Sequence, residues 1–196
     1  MFTQRDEEEY IVGFFGKTKG RFLDIGAHNG ECFSTTRQLA LQGWGGVCFE
    51  PSPSVFPALK KLYQDNPNVR TLEYAITNRT GRVRFYDSGG DLTSSIDKTH
   101  VELWKKKGCN FKKIRVRSLT VLDLFSKVGY NFDFINLDIE GTNWNVFSQF
   151  PFAKLKRTKM ICVEFEHKTK QMLKLTQSYG FTLLHKTAEN LLLVRR

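Results

Sequence analysis

From residue 21 to residue 167 the chain repeats one plan: a short apolar run ending in an acid and a turn, then a stretch of helical periodicity. RFLDIGA (21–27) and GVCFEP (46–51) are two such runs, and STTRQLALQG between them reads as a helix closed by Gly43. SPSVFPALKKLYQDNP is the next helix, opened by a Ser or Pro cap, and NVRTLEYAIT (68–77) the next strand. Strand, helix, strand repeated this way commits a chain to a parallel sheet, because parallel neighbours need helical crossovers that cover both faces. Strands buried on both faces read as continuous apolar runs, as these do.

After Asn78 the plan loosens. RTGRVRFYDSGG reads as a turn, a short strand and a loop, and 87–113 as an irregular insertion. RVRSLTVLDLFSKVG (115–129) gives a short strand and a helix, FDFINLDIEG (132–141) a buried strand, and TNWNVFSQFPFAKL a broken helix before Pro151. MICVEFEH (160–167) is another buried strand, and TKQMLKLTQSYG a helix stopping at Gly180. The end, FTLLHKTAENLLLVRR, predicts two antiparallel strands turning around Thr187 to Asn190. The expected fold is doubly wound α/β, one domain over 1–196 with a short extension at 1–20, its mostly parallel sheet ending in an antiparallel hairpin.

Composition supports a single core: 40 % of residues are hydrophobic and 17 are Phe. No apolar run approaches the roughly 20 residues that cross a bilayer, and MFTQRDEEEY is charged where a signal peptide would be apolar. The expectation is a soluble, unprocessed, cytoplasmic chain without a membrane span. Cys32, Cys48, Cys109 and Cys162 lie too far apart for a zinc or dithiol motif and read as thiols, with Cys48 and Cys162 packed in strands. The net charge of +10 gathers at 98–117, where Lys98, Lys105, Lys106, Lys107, Lys112, Lys113, Arg115 and Arg117 face only Glu102. That segment is either a solvated face or a surface for an anionic partner.

In an open doubly wound sheet, ligands bind beyond the C-terminal strand ends where the strand order reverses. The first strand ends Asp24-Ile25-Gly26-Ala27-His28-Asn29-Gly30-Glu31, with two glycines that let the backbone approach a ligand. The second ends at Glu50, an acid able to accept both hydroxyl hydrogens of a ribose, followed by Pro51. The loop is D-x-G-x-x-x-G and lacks both the tight glycine triplet that seats a pyrophosphate and any basic residue, so a ligand with a ribose and no phosphates fits better. Two later strand ends are acid-rich, with Asp138 and Glu140 in NLDIEG and Glu164, Glu166 and His167 in VEFEH. Unpaired acids are costly to bury, which points to function; the alternative for Glu140 and Glu166 is that they only cap the next helix.

With those residues in view, the chain over roughly 21–194 resembles the FkbM-type methyltransferases, a branch of the class I Rossmann-like fold that depends on S-adenosylmethionine. FLDIGAHNGE is similar to the family's cofactor loop, FEPSPSVFPALKK to its ribose-binding strand and turn, and EYAIT to the strand beside the adenine; SLTVLDLF, FDFINLDIEG and ICVEFEH follow in order. The resemblance implies that Asp24, Gly26, Ala27, Asn29 and Gly30 approach the methionine part of the cofactor, Glu50 and Pro51 the ribose, and Ala75 and Ile76 the adenine. His28 stands where the family often has Asn, leaving it to meet either the cofactor carboxylate or the substrate. Thr93-Ser94-Ser95 resembles a Ser pair near the cofactor, which brings in Ser94.

The reaction so implied is O-methylation, commonly of a sugar or polyketide hydroxyl, and an alcohol needs a nearby base. Asp138, which also borders the cofactor, Glu140 and His167 are the candidates. Glu164 would orient His167, or join Asp138 and Glu140 around a divalent cation; a metal-free site is the favoured reading. A sugar or glycan is the favoured acceptor, with Trp144 either flanking it or buried in the core, and with Trp104 in the loop over it. Whether the chain works alone or beside a glycosyltransferase stays open. RNA ribose methylation is second: the basic segment favours it, while acids stand where such enzymes set lysines. A silent binding subunit of the same fold is third.

Overall fold

The computed structural model describes residues 1–195. Its main sheet contains β1 (Arg21–Ile25), β2 (Gly45–Phe49), β3 (Val69–Leu72), β7 (Phe134–Leu137), β8 (Met160–Glu164), β9 (Phe181–Lys186) and β10 (Asn190–Arg195) in the order β3-β2-β1-β7-β8-β10-β9. The first five of these run parallel to one another, and β10 is antiparallel to both β8 and β9. The strand order reverses between β1 and β7, so the crevice expected of such a sheet opens at their C-terminal ends.

The apolar runs are buried on both faces because alternate side chains enter two different cores. Leu23, Ile25, Ile135, Leu137, Ile161 and Val163 pack on one face with α5 (Val121–Val128) and an aromatic group of Phe147, Phe150 and Phe152. Phe22, Phe134, Met160, Cys162 and Leu192 pack on the other with Trp44 and α1 (Glu7–Phe15). Cys48 and Cys162 are fully buried, as their strands predict, and all four cysteines are free thiols. The stretch 1–20, expected as an extension, contributes Ile11 and Phe15 to the second core through α1. Among the described residues no helix is long and apolar enough to cross a membrane.

Two expectations are corrected. The stretch 68–77 is two strands in different sheets: β3 pairs with β2, while β4 (Ala75–Thr77) pairs with β6 (Lys112–Thr120) in a small sheet completed by β5 (Gly81–Asp87). The break falls where the Leu72 carbonyl accepts from both Glu50 N–H and Tyr74 N–H, which folds the chain back and ends the ladder. The insertion 87–113 holds a helix, α4 (Lys98–Lys106), capped by Asp97, whose carboxylate accepts from the Thr99 and His100 N–H groups. Its single buried residue, Val101, is too little apolar periodicity to be seen in sequence. The remaining helices are α2 (Arg37–Leu41), α3 (Phe56–Leu62), α6 (Asn143–Phe147) and α7 (Thr169–Gln177).

Candidate active site

Past the ends of β1 and β7 the backbones remain locked together. Gly26 N–H and Ala27 N–H both donate to the Phe49 carbonyl (2.9 and 3.0 Å), and Asp138 N–H donates to the Ile25 carbonyl (2.9 Å). Gly26 adopts φ +92°, and a Cβ there would lie 1.7 Å from the Asp138 carbonyl oxygen, so only glycine fits. Around this residue three adjoining hollows form a cleft, and Gly26 lines all of them.

The first hollow is lined by Glu50, Pro51, Ser94 and Asp91, and it shares His28, Asp138 and Glu140 with the second. Glu50 is buried, with Oε2 accepting from His28 N–H (3.0 Å) and Oε1 from Ser52 N–H (2.8 Å). Burial pushes its carboxyl up to about 7, against the two backbone donors and with help from Asp24 and Asp87. The second hollow adds Asp24, Ala27 and Thr35. Asp24 is held by Thr36 Oγ1 (2.6 Å) and Asn136 Nδ2 (2.9 Å), and burial raises its carboxyl despite both bonds. The third, formed by Tyr74, Ala75, Ile76, Phe85, Ile96 and Ile139 among others, is apolar. No lysine or arginine lines any of the three among the described residues.

Beside the first two hollows lies a cluster of acids. Asn143, fully buried at the start of α6, donates through Nδ2 to Glu164 (2.6 Å) and Glu166 (3.0 Å), while its Oδ1 accepts from Ile139 N–H (2.9 Å). It thereby ties the end of β7 to the end of β8. Burial first, and then the neighbouring acids, raise Asp138, Glu140 and Glu164; Glu164 and Asp138 share a hydrogen bond. Asp138 Oδ1, His28 Nδ1 and Thr35 Oγ1 are buried without a partner.

The predicted residues Asp24, Gly26, Ala27, His28, Glu50, Pro51, Ala75, Ile76, Ser94, Asp138 and Glu140 thus meet in one cleft. Asn29 and Gly30 do not line it. Asn29 Oδ1 closes its own turn by accepting from Glu31 and Cys32 N–H, and Gly30 lets the loop press on Leu59 and Leu62 of α3. His167 is not brought to the cleft: it is exposed and lines none of the three hollows, with left-handed backbone at Glu166 (φ 41°) and at His167 itself (φ 63°). Trp144 packs against the core and does not line the cleft. Among the described residues no group of three or more His, Cys, Asp or Glu is placed to hold a metal ion, and Asp138, Glu140 and Glu164 form none.

Several contributors carry no local sequence signal. Thr36 and Asn136 hold Asp24, and Asn143 holds the acids. Asp87 accepts from Ser52 Oγ (2.6 Å) and from Ser54 Oγ, fastening the turn after Glu50 to the end of β5. Only the Pro51-Ser52-Pro53-Ser54 pattern hinted at a built turn there.

The acid cluster yields a stability prediction. Glu164 binds its proton more tightly folded than unfolded, so between its ordinary value of 4.5 and its raised one the native state holds the extra proton and stability falls as pH rises. Glu164→Gln keeps a neutral donor beside Asp138 and removes that slope. Urea midpoints from pH 5 to 9 should fall less steeply for the variant than for the wild type; parallel curves would contradict the assignment.

A parallel sheet with this strand order, an antiparallel last pair and a cleft at the β1–β7 switch defines a class I Rossmann-like methyltransferase fold. The pattern of the methyltransferase FkbM domain matches residues 24–183, and the chain belongs to that family. It is 28 % identical over 165 residues to the 2-O-methyltransferase NoeI of Sinorhizobium fredii (strain NBRC 101917 / NGR234), covering 79 % of this chain and 67 % of that protein. Among solved structures, the methyltransferase FkbM from Methylobacillus flagellatus KT superposes with a TM-score of 0.58 at 14 % identity, over 98 % of this chain and 48 % of the other. The ribosomal protein L11 methylase of Lactobacillus delbrueckii subsp. bulgaricus gives 0.53 at 8 % identity, over 97 % and 77 %. The chain therefore spans about half the length of the FkbM structure, and both likenesses bear on the fold alone.

Proposed function

We propose that the protein transfers a methyl group from S-adenosylmethionine to a hydroxyl of a sugar in a glycan or glycoconjugate. The observation that carries the cofactor reading is the cleft's division into a cation-free hollow with Glu50, an apolar hollow, and a hollow whose buried polar atoms lack partners. Glu50 accepts ribose hydroxyls, while Ala75, Ile76, Phe85 and Ile139 enclose a flat base. Asp24 and the unpartnered Asp138 Oδ1 accept from an ammonium, and Thr35 Oγ1 donates to a carboxylate. A pyrophosphate would find no cation here. When bound, S-adenosylmethionine supplies an electrophilic methyl on a sulfonium.

The chain's own task is to place the acceptor and receive its proton. Asp138 and Glu140 face both the first and second hollows, where their lone pairs can take hydrogens from a polyol. The likeness to a 2-O-methyltransferase supports oxygen as the receiving atom. The residues 138–141 read Asp-Ile-Glu-Gly, unlike the N-P-P-Y turn of enzymes that methylate exocyclic amines.

Incubation with methyl-labelled S-adenosylmethionine and separate pools of oligosaccharides and RNA tests the proposal. Label in a saccharide, stable to base and retained through glycan release, is the expected result. Label in RNA alone, with activity falling steeply with salt and lost when Lys105 to Lys107 are replaced, would replace the sugar reading by ribose methylation.

A further inference from the structure

We propose that His100 is a positioning residue for methyl transfer, standing behind Glu140 to take its proton as that carboxyl receives the acceptor's; this rests on the function proposed above. No motif in the sequence singles out His100. It is brought to the site by α4, which docks on the turn after β7 so closely that a Cβ at Gly141 would stand 2.9 Å from His100 Cβ and 3.0 Å from Asp97 Cβ. Glu140 is held in a left-handed conformation (φ 48°), and its carbonyl accepts from Ser95 Oγ (2.5 Å), two residues before the cap of α4. The outcome is a pair: His100 Nε2 lies 3.5 Å from Glu140 Oε2, with the imidazole 14 % and the carboxylate 29 % exposed. Nε2 is buried and has no hydrogen-bond partner, whereas Glu140 lines two hollows of the cleft.

The chemistry follows from what surrounds the pair. Glu140 faces Asp138 from its own strand end, Glu164 and Glu166 from the end of β8, Glu189 from the hairpin turn and Asp91 from the loop after β5. Burial and these acids keep a proton on its carboxyl at neutral pH, and a protonated carboxyl cannot act as a base. His100 is the facing group able to take that proton. Burial lowers the ring below its ordinary range and Lys107 adds to this, while Asp97 and the Thr93 carbonyl favour the charged form. With one proton between them, that proton rests on Glu140, and the neutral ring behind it has Nε2 free to accept. As the acceptor oxygen bonds to the methyl, its hydroxyl gives its proton to Glu140 while Glu140 passes its own to Nε2, and the imidazolium so formed returns that proton to water.

Two measurements decide this. The ring of His100, one of four histidines and identified by its absence in His100→Gln, is titrated by NMR in the wild type and in Glu140→Gln. The wild-type ring should report the ionisation of Glu140 as a second inflection in the alkaline range that Glu140→Gln abolishes, and a single titration unchanged by the substitution overturns the pairing whatever the acceptor. Turnover of His100→Ala is then followed from pH 6 to 10 with whichever oligosaccharide or RNA takes label. Its rate should fall about 10- to 100-fold near pH 7 and recover in alkali, where Glu140 ionises unaided. A uniform loss at every pH, or none, would overturn the positioning role. Binding of S-adenosylhomocysteine to the variant, by calorimetry, should stay within about twofold of wild type, since His100 touches none of the groups proposed to hold it. If no acceptor takes label, the function proposed above falls, while the ring titration still decides the pair.

Discussion

Gly26→Ala is expected to leave little folded protein. A Cβ at this position would stand 1.7 Å from the Asp138 carbonyl oxygen and 2.8 Å from its carbon, and the φ of +92° disfavours any side chain. Neither backbone can retreat. The Ile25 carbonyl accepts from Asp138 N–H, Gly26 N–H is bonded to Phe49, and β1 and β7 are the central strands of the main sheet. Relief requires parting β1 from β7 at the switch point, with loss of about 4 kcal/mol or more from a total of about 5–15 for a domain. Urea or thermal unfolding with circular dichroism measures it; a midpoint within a degree or two of wild type would show that the strand ends are not so closely joined. Any folded fraction should bind no S-adenosylhomocysteine, because Gly26 lines every hollow of the cleft.

Glu50 should make cofactor affinity depend on pH around neutrality. In the free protein burial lifts its carboxyl to about 7, so below that pH the acid is protonated and one of its oxygens no longer accepts a ribose hydroxyl. The ligand selects the ionised form. Affinity for S-adenosylhomocysteine should rise between pH 6 and 8 and then level off, with about one proton released per binding event at the acid end. Calorimetry in buffers of different ionisation enthalpy counts that proton. Glu50→Ala should lose about 1–3 kcal/mol of binding at pH 8, a factor of roughly 5 to 150, and also the pH dependence. Affinity that is flat from pH 6 to 8 and equal in the variant would reject the ribose assignment.

The same residue sets a linked effect on folding. A carboxyl raised from 4.5 to about 7 favours the native state while protonated, so stability falls by about 3 kcal/mol as pH climbs through that interval. Glu50→Gln should remove this slope from the apoprotein even though it weakens ligand binding. Stability and affinity thus move in opposite directions at one residue, as expected where a buried acid serves a ligand.

What was legible in the sequence was written in local chemistry. Apolar runs such as FDFINL and MICV must be strands buried on two faces, and the acid and glycine closing each run mark its C-terminal end. Once the sheet is parallel, those ends share one edge, so Asp24, Gly26, Glu50 and Asp138 could be brought together on paper. The hairpin at Thr187 to Asn190 was legible for the same reason, since its turn residues and flanking apolar runs are neighbours in the chain.

The remainder depends on partners distant in sequence, which no local pattern records. Asp87 fastens Ser52 from 35 positions away, Asn143 joins acids from two strand ends, and NVRTLEYAIT divides because Glu50 N–H takes the Leu72 carbonyl before the run is finished. The two histidines show the difference most clearly. His167 stands next to the acids in sequence, but left-handed backbone at 166 and 167 turns it to solvent. His100 lies on a short helix with one buried residue, and only the close approach of α4 to Gly141 sets its ring against Glu140. Residue type and strand end follow from local sequence, whereas which side chain meets which across the cleft is decided by packing, because two groups approach within hydrogen-bonding range only when the elements carrying them are held in place by the rest of the core.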